Sequence, residues 1–484
     1  MVCGTTSDAG KSILVTGLCR VLARRGVRVA PFKAQNMSLN SGVTASGHEI
    51  GRAQLLQAEA AGVDAEVAMN PILLKPTSDR DAQVVLNGRP VGSMDAAEYH
   101  GHKPALLAGV LDALADLRSR YDVVLLEGAG SPTEINLLPH DIVNLRIAHE
   151  ARLRAVVVGD IDRGGVFAAL YGTVVLLPDH LRACVGGFVI NKFRGDPTLL
   201  LDGPDELEAR CGVPTLGVVP MVPRLGLDAE DSMALEAIPV PPADAVLDVA
   251  VIGFPYVSNF TDFDALATEP GVGVRYVRSV GELGRPHLVI LPGSKSTVAD
   301  LVWLRAHGLD RAVAASGAAV LGICAGYQMM GRRIADGVES VVAAVDGLGW
   351  LPVETVFGRD KVLRRASGAA LGHTVHGYQI HHGRVAAYDG DGWLQFDGAD
   401  DGVRVGDRFG TTVHGLFDAD AFRRAFLALV AGRAGVTLPP TDHRYAEVRL
   451  ARLDRLADVL EAHLDLGRII ELIETPLGPG GLGT

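Results

Sequence analysis

Paired cysteines, long apolar runs and surplus positive charge are all missing from this chain. Its five cysteines (Cys3, Cys19, Cys184, Cys211 and Cys324) are scattered with no CxxC spacing. That excludes a disulfide framework or a cysteine-built zinc site and points to a reducing cytoplasm. No stretch approaches about 18 consecutive apolar residues and no secretory leader is present, so neither a membrane span nor export is expected. A net charge of −12 argues against nucleic-acid partners and anionic membrane surfaces. No long repeat occurs, although Val-His-Gly appears twice, around His376 and His414. The 484 residues exceed what one core accommodates, so two or three domains are expected.

What is present is an alternation of apolar runs with helical stretches, the pattern of α/β domains built on parallel sheets. Residues 13–25, 50–62 and 104–120 read as helices, and 27–31, 121–126, 155–159 and 186–190 as strands. Only Met1-Val2-Cys3 precede Gly4, so either the first strand is very short or the true start lies upstream. A Pro-rich stretch (Ile238-Pro-Val-Pro-Pro-Ala) marks 226–247 as a linker between a domain at 1–225 and one at 248–440. Strands at 247–252 and 287–291 open the second domain, residues 346–414 are strand-rich, and helices at 419–432 and 445–464 follow. Residues 441–475 read as a helical extension and 476–484 as a disordered Gly/Pro-rich tail.

Chemistry gathers at two places. Gly4-Thr5-Thr6-Ser-Asp8-Ala-Gly10-Lys11-Ser12 is a phosphate loop, one residue longer between its glycines than the common spacing. Its glycines let backbone N–H groups reach phosphate oxygens, Lys11 neutralises charge, and Ser12 is a Mg²⁺ ligand. Glu127, closing the strand 121–126, is the expected acidic partner of that ion. Asn191 and Lys192, at another strand end, are candidates for contacting the nucleotide base. Asp8 suits either metal or turn. Asp160 and Asp162 suit metal, substrate or a helix cap.

The second place is Gly322-Ile-Cys324-Ala325-Gly-Tyr-Gln328, an apolar strand running into a Gly-x-Cys-x-Gly turn and then a helix. Such an elbow exposes its side chain beside free N–H groups, which favour a thiolate and can hold an oxyanion. Cys324 is therefore a candidate nucleophile, whereas Cys19, Cys184 and Cys211 read as inert. A nucleophilic thiol needs a base, and His373, His376, His381, His382 and His414 lie downstream. Of these, His414 sits between a strand and a helix. Gly293 and Ser294 follow a strand and offer further oxyanion N–H groups.

These residues resemble known families. The elbow is similar to that of class I glutamine amidotransferases, although their His-x-Glu is absent because His414 is followed by Gly415-Leu416. That departure suggests a Cys–His dyad. The longer phosphate loop resembles that of dethiobiotin synthetase-type ATPases. Over nearly the whole chain the sequence resembles the cobalamin-pathway amidotransferases. Pro31-Phe-Lys33-Ala-Gln35-Asn36-Met37, Gly51-Arg52-Ala-Gln54 and Met69-Asn-Pro-Ile-Leu-Leu-Lys-Pro76 carry that resemblance, with Asp160-Ile-Asp162-Arg163-Gly-Gly165, Asn191-Lys-Phe-Arg-Gly-Asp196 and Val413-His-Gly-Leu-Phe-Asp418. The family's Gly-Tyr-Glu-Ile-His stands here as Gly377-Tyr-Gln379-Ile-His381.

The resemblance implies an ATP-binding synthetase domain, a class I glutaminase domain, and Mg·ATP and glutamine as reactants. The implied reaction is amidation of the b, d, e and g carboxylates of adenosylcobyrinic acid a,c-diamide, with Lys33, Gln35, Asn36, Arg52, Asp160, Asp162 and Arg163 in the substrate cleft. Gly293, Ser294, Ala325 and Gln328 are implied to bind glutamine and its oxyanion. The alternatives are the related enzyme that amidates the a and c carboxylates and, in a different class, a ParA/MinD-like ATPase switch.

Overall fold

The computed structural model describes residues 1–77, 81–222, 225–228, 244–340, 342–387 and 389–478. Most of the expected linker (229–243) and the end of the tail (479–484) fall outside the described residues. The chain divides into two compact units: residues 1–37, 53–227 and 450–484 form the first, and 38–52 with 228–449 the second.

In the first unit, strands Val2–Gly4, Ala155–Asp160, Val185–Phe193 and Thr215–Pro220 lie side by side, all parallel. A second parallel pair, Val29–Phe32 with Val123–Leu126, meets Val2 through a bridge to Glu127. The first strand spans three residues, all buried. These strands read as near-continuous Val/Ile/Leu runs because helices cover both faces of a parallel sheet. Helix Lys11–Arg24 buries Leu14, Val15, Leu18, Cys19 and Leu22.

Helix Tyr445–His463 crosses the division between the units. Tyr445–His463 belongs to the second unit only through Arg449. From Leu450 it is part of the first, packing Leu453, Leu456, Ala457 and Leu460 into the core around Leu14 and Leu18. Gly17 permits this, since a Cβ there would meet Leu460 Cδ1 at 2.4 Å. Arg20–Asp454 (2.7 Å) and Arg24–Asp458 (2.6 Å) line the rim. Of the stretch 441–475, residues 450–475 are counted with the first unit and 441–449 with the second. The helix expected at 104–120 is also longer, spanning Ala96–Arg120, because Asp95 caps its N-terminus through Glu98 N at 2.8 Å.

The second unit has a parallel core of strands Val272–Val277, Leu247–Ile252, Leu288–Leu291, Ala319–Ile323 and Arg408–Thr411, in that order. Antiparallel strands Ala399–Val405 and Asp391–Phe396 continue the sheet to Val353–Ala370, which pairs with His373–Ala387 as a long hairpin. Hydrophobic clusters pack both faces. One contains Trp393, Phe409, Phe417, Phe422 and Phe426, joined by a chain of ring contacts; fully burying each such side chain stabilises by roughly 1.5–3 kcal/mol.

Candidate active sites

In the first unit, Gly10 caps helix Lys11–Arg24 at φ 99°, a conformation glycine reaches without strain. A Cβ there would meet Asn191 Nδ2 at 2.1 Å, since Asn191 donates to Ala9 O at 2.8 Å. Lys192 Nζ donates to Asp8 O at 2.6 Å and pairs with Asp160 Oδ2 at 2.8 Å. Asn191 and Lys192 thus brace the backbone of the loop. Thr5 N donates to Val158 O (2.9 Å), tying the loop to the sheet. Lys11 Nζ donates to the carbonyls of Thr6 (2.8 Å) and Ser7 (2.9 Å).

Ser12 Oγ donates to Glu127 Oε1 at 2.8 Å, Lys33 Nζ lies 2.8 Å from the same oxygen, and Gln57 Nε2 donates to Oε2 at 2.6 Å. Glu127 is buried, so its charge is balanced by Lys33 and hydrogen bonds, as burial requires. A hydroxyl and a carboxylate converging in this way fit Mg²⁺, which takes few protein oxygens and completes its shell with water and phosphate.

The remaining candidates fall into three groups. Lys33 and Asn36 belong to the Glu127 cluster, Asn36 Nδ2 donating to Gln54 Oε1 at 3.1 Å, while Gln35 accepts from the Tyr99 hydroxyl at 2.6 Å. Asp160, Asp162 and Arg163 form an ion-pair cluster with Asp8, Lys192 and Arg194. Arg52 stands apart in the second unit. There Asp228 pairs with Arg52 (2.7 Å) and Arg449 (2.6 Å), which holds the Asp228 carboxyl well below its ordinary range despite burial.

In the second unit, Cys324 closes strand Ala319–Ile323 and caps helix Ala325–Met330 at φ 53° and ψ −108°. This is a strained position for a residue with a Cβ, and such strain gathers at reactive sites. The flanking glycines allow it. A Cβ on Gly326 would lie 1.9 Å from Leu291 O, and one on Gly322 2.7 Å from Tyr327 N. Cys324 N donates to Thr411 O (2.8 Å), fixing the elbow against the neighbouring strand. A Cβ on Gly293 would come within 2.9 Å of His414 Cε1, so the Gly293-Ser294 backbone borders the imidazole. Ser294 Oγ donates to Asp300, and Thr297 Oγ1 holds Gln328 Oε1 at 3.3 Å behind the elbow.

His414 is 1% exposed and lies with Tyr378 stacked on its ring at 5.3 Å. Its Nδ1 is 2.7 Å from Asp262 Oδ2, and Asp262 Oδ1 accepts from Gly415 N at 3.1 Å. Burial works against a charged imidazole, but the Asp262 carboxylate and the adjacent Cys324 thiol prevail, raising His414 from 6.5 to about 10. The other candidate bases have different partners. His381 and His382 point Nδ1 at carbonyls, and burial lowers His381 to about 4; His376 bonds Ser367. Burial pushes the Cys3 thiol up to about 12 and Cys184 to about 11, and raises Cys19 as well, so these thiols stay protonated.

Asp262 was not legible as a site residue. It lies on the turn Phe260–Phe263, far from His414 in sequence. The one available signal was the missing glutamate beyond His414, which implies a carboxylate from elsewhere. Gln379, standing where relatives of the motif carry glutamate, accepts from Arg364 Nε (2.5 Å) and donates to Thr412 Oγ1 (2.6 Å). Asp401 beside it accepts from Thr411, Thr412 and Gln379.

Comparison with known proteins agrees with this division of labour. The profile of the CobQ/CobB/MinD/ParA nucleotide binding domain matches residues 1–234, and that of the CobB/CobQ-like glutamine amidotransferase domain matches 248–422. A cobyric acid synthase of Streptomyces avermitilis is 52% identical over all of this chain and 97% of its own length. One from Rhodococcus jostii is 53% identical over 98% of this chain and 95% of its own. A solved structure titled "Crystal structure of glutamine amidotransferase" aligns at TM-score 0.32 and 21% identity over 38% of this chain and 98% of its own. The chain belongs to the cobyric acid synthase family of glutamine-dependent amidoligases.

Proposed function

We propose that the protein amidates the b, d, e and g carboxylates of adenosylcobyrinic acid a,c-diamide, using ATP and glutamine, to give adenosylcobyric acid. The observation that carries this reading is the pairing of a phosphate loop with a Cys324–His414–Asp262 constellation in a chain whose full-length relatives are named cobyric acid synthase.

A carboxylate is a poor electrophile, so the first step transfers the γ-phosphoryl group of ATP to a substrate carboxylate oxygen. That yields an acyl phosphate and ADP. The loop amides and Lys11 would hold the phosphates, and Ser12 and Glu127 would hold Mg²⁺, which supplies charge neutralisation when bound. In the glutaminase, Cys324 passes its thiol proton to His414 Nε2 as its Sγ attacks the side-chain amide carbon of glutamine, while N–H groups near Gly293 and Ala325 hold the oxyanion. His414 gives its proton to the departing nitrogen, and ammonia leaves. Water then hydrolyses the thioester to glutamate. Ammonia attacks the acyl phosphate, the amide bond forms, and phosphate departs. Asp262 would orient the imidazole and stabilise its charged form.

The test is mass spectrometry of the corrinoid acid incubated with enzyme, Mg·ATP and amide-¹⁵N glutamine. Four labelled amides on the a,c-diamide support the reading. Labelling of unamidated cobyrinic acid alone would move the assignment to the enzyme of the a and c carboxylates. ATP turnover without either acid would favour a nucleotide switch.

A further inference from the structure

Residues 38–52 form an arm that belongs to the second unit, although Met37 before it and Ala53 after it belong to the first. The arm is a strand pair, Ser41–Val43 with Glu49–Gly51. Asn40, Ser41, Thr44 and Glu49 within it are buried. Ser41 Oγ donates to Glu49 Oε1 at 2.8 Å, and Lys361 Nζ pairs with Glu49 Oε2 at 2.6 Å. Two contacts from the arm converge on Asn259, which stands at φ 54° immediately before the turn that carries Asp262. Asn40 Oδ1 accepts from Asn259 N at 2.7 Å, and Ser41 N donates to Asn259 Oδ1 at 3.3 Å. The other end of the same amide, Nδ2, is 3.3 Å from His414 Nε2.

We propose that this arm is a brake on the glutaminase, acting through Asn259; the proposal rests on the glutaminase reading above. A backbone N–H can only donate, so Ser41 fixes Oδ1 towards the arm and leaves Nδ2 facing His414. An amide N–H against Nε2 meets a lone pair only in the neutral imidazole, so it works against the charged form and, in the neutral form, occupies the lone pair that must accept the Cys324 proton. Asp262 and Cys324 draw His414 towards the cation, and the seated arm opposes them. Once the arm shifts, Asn259 is free to turn its carbonyl oxygen to Nε2–H, and the opposition becomes support.

The roots of the arm lead to the phosphate loop. Asn36 Nδ2 donates to Gln54 Oε1 (3.1 Å), Gln54 Nε2 to Gln57 Oε1 (3.5 Å), and Gln57 Nε2 to Glu127 Oε2 (2.6 Å), whose other oxygen accepts from Ser12. Rearrangement of Glu127 and Ser12 around Mg·ATP would therefore reach both ends of the arm through a chain of side-chain amides. Glutamine would then be spent only when the synthetase site is filled.

The experiment measures glutamine hydrolysis by the full-length enzyme with and without Mg·ATP and the corrinoid acid, beside amidation driven by ammonium. Asn40→Ala removes the acceptor for Asn259 N. Asn259→Gly removes the amide while suiting the positive φ. Both are expected to raise hydrolysis without ATP and acid by roughly fivefold, the effect of about one neutral hydrogen bond, and to shrink the stimulation on adding them. Asn40→Asp keeps an acceptor and is expected to restore wild-type stimulation. Ammonium-driven amidation is expected to persist in Asn40→Ala. Hydrolysis that is unchanged or lower in a variant retaining ammonium-driven amidation overturns the brake. If Asn40→Ala loses that amidation too, Asn259→Gly decides by the same criterion. Hydrolysis that survives Cys324→Ala would instead overturn the glutaminase reading itself.

Discussion

Replacing Asp262 by asparagine removes one charge from the most buried part of the thiol site and leaves its shape nearly intact. The lost interaction is a 2.7 Å hydrogen bond between buried partners, His414 Nδ1 and Asp262 Oδ2. A hydrogen bond to a charged group contributes roughly 1.5–3 kcal/mol, and about 1.4 kcal/mol is a factor of ten in rate. Glutaminase kcat is therefore expected to fall roughly tenfold to a hundredfold, with the KM for glutamine within about twofold. Ammonium-driven amidation serves as the control and is expected to hold. His414 titrates at about 10 in the fold against 6.5 as its ordinary value. Its charged form thus adds stability that is complete below about pH 6.5 and lost as pH rises through about 10. The difference in unfolding free energy between wild type and Asp262→Asn should be widest near about pH 6 and close towards about pH 10, as read by urea titration. An unchanged kcat would refute the argument that Asp262 orients and charges His414. An equal fall in ammonium-driven amidation would show general damage instead.

Other expectations follow from the same contacts. Lys11→Met is expected to lower ATP-dependent amidation at least about a hundredfold while Cys324 alkylation by iodoacetamide proceeds as in wild type. Glu127→Gln removes the carboxylate that pairs with the buried Lys33 ammonium at 2.8 Å; a loss of roughly 3–5 kcal/mol in stability, seen as a lowered urea midpoint, and a raised Mg²⁺ requirement are expected. In Gly326→Ala the new Cβ would sit 1.9 Å from Leu291 O, so a fall in melting temperature equivalent to about 3 kcal/mol or more and loss of glutaminase activity are expected.

The elbow is legible in sequence because its physics is local. A buried strand, two glycines that must accept backbone contact and a helix start occupy one short run around Cys324. The phosphate loop is legible for the same reason. Parallel sheets could be inferred because their strands are apolar on both faces. Asp262 could not, since its role depends on two loops at the ends of separate strands meeting at His414. The arm at 38–52 gave no periodic signal, and its buried polar residues (Ser41, Asn40, Glu49) resemble an ordinary loop until their partners are known. The helix Tyr445–His463 showed apolar residues at helical spacing, which foretells burial. It does not say against which core, and that core proved to be the one around Leu14 and Leu18.

The central claim is that two chemistries, ATP-driven activation and thiol-driven release of ammonia, serve one product. Its most direct test is the stoichiometry of a single reaction in which ADP, glutamate and newly formed corrinoid amide are all counted. Equal amounts of the three are predicted, with glutamate formation abolished in Cys324→Ala and amide formation restored there by ammonium. Amide formed without ADP, or glutamate still formed in Cys324→Ala, would contradict the account.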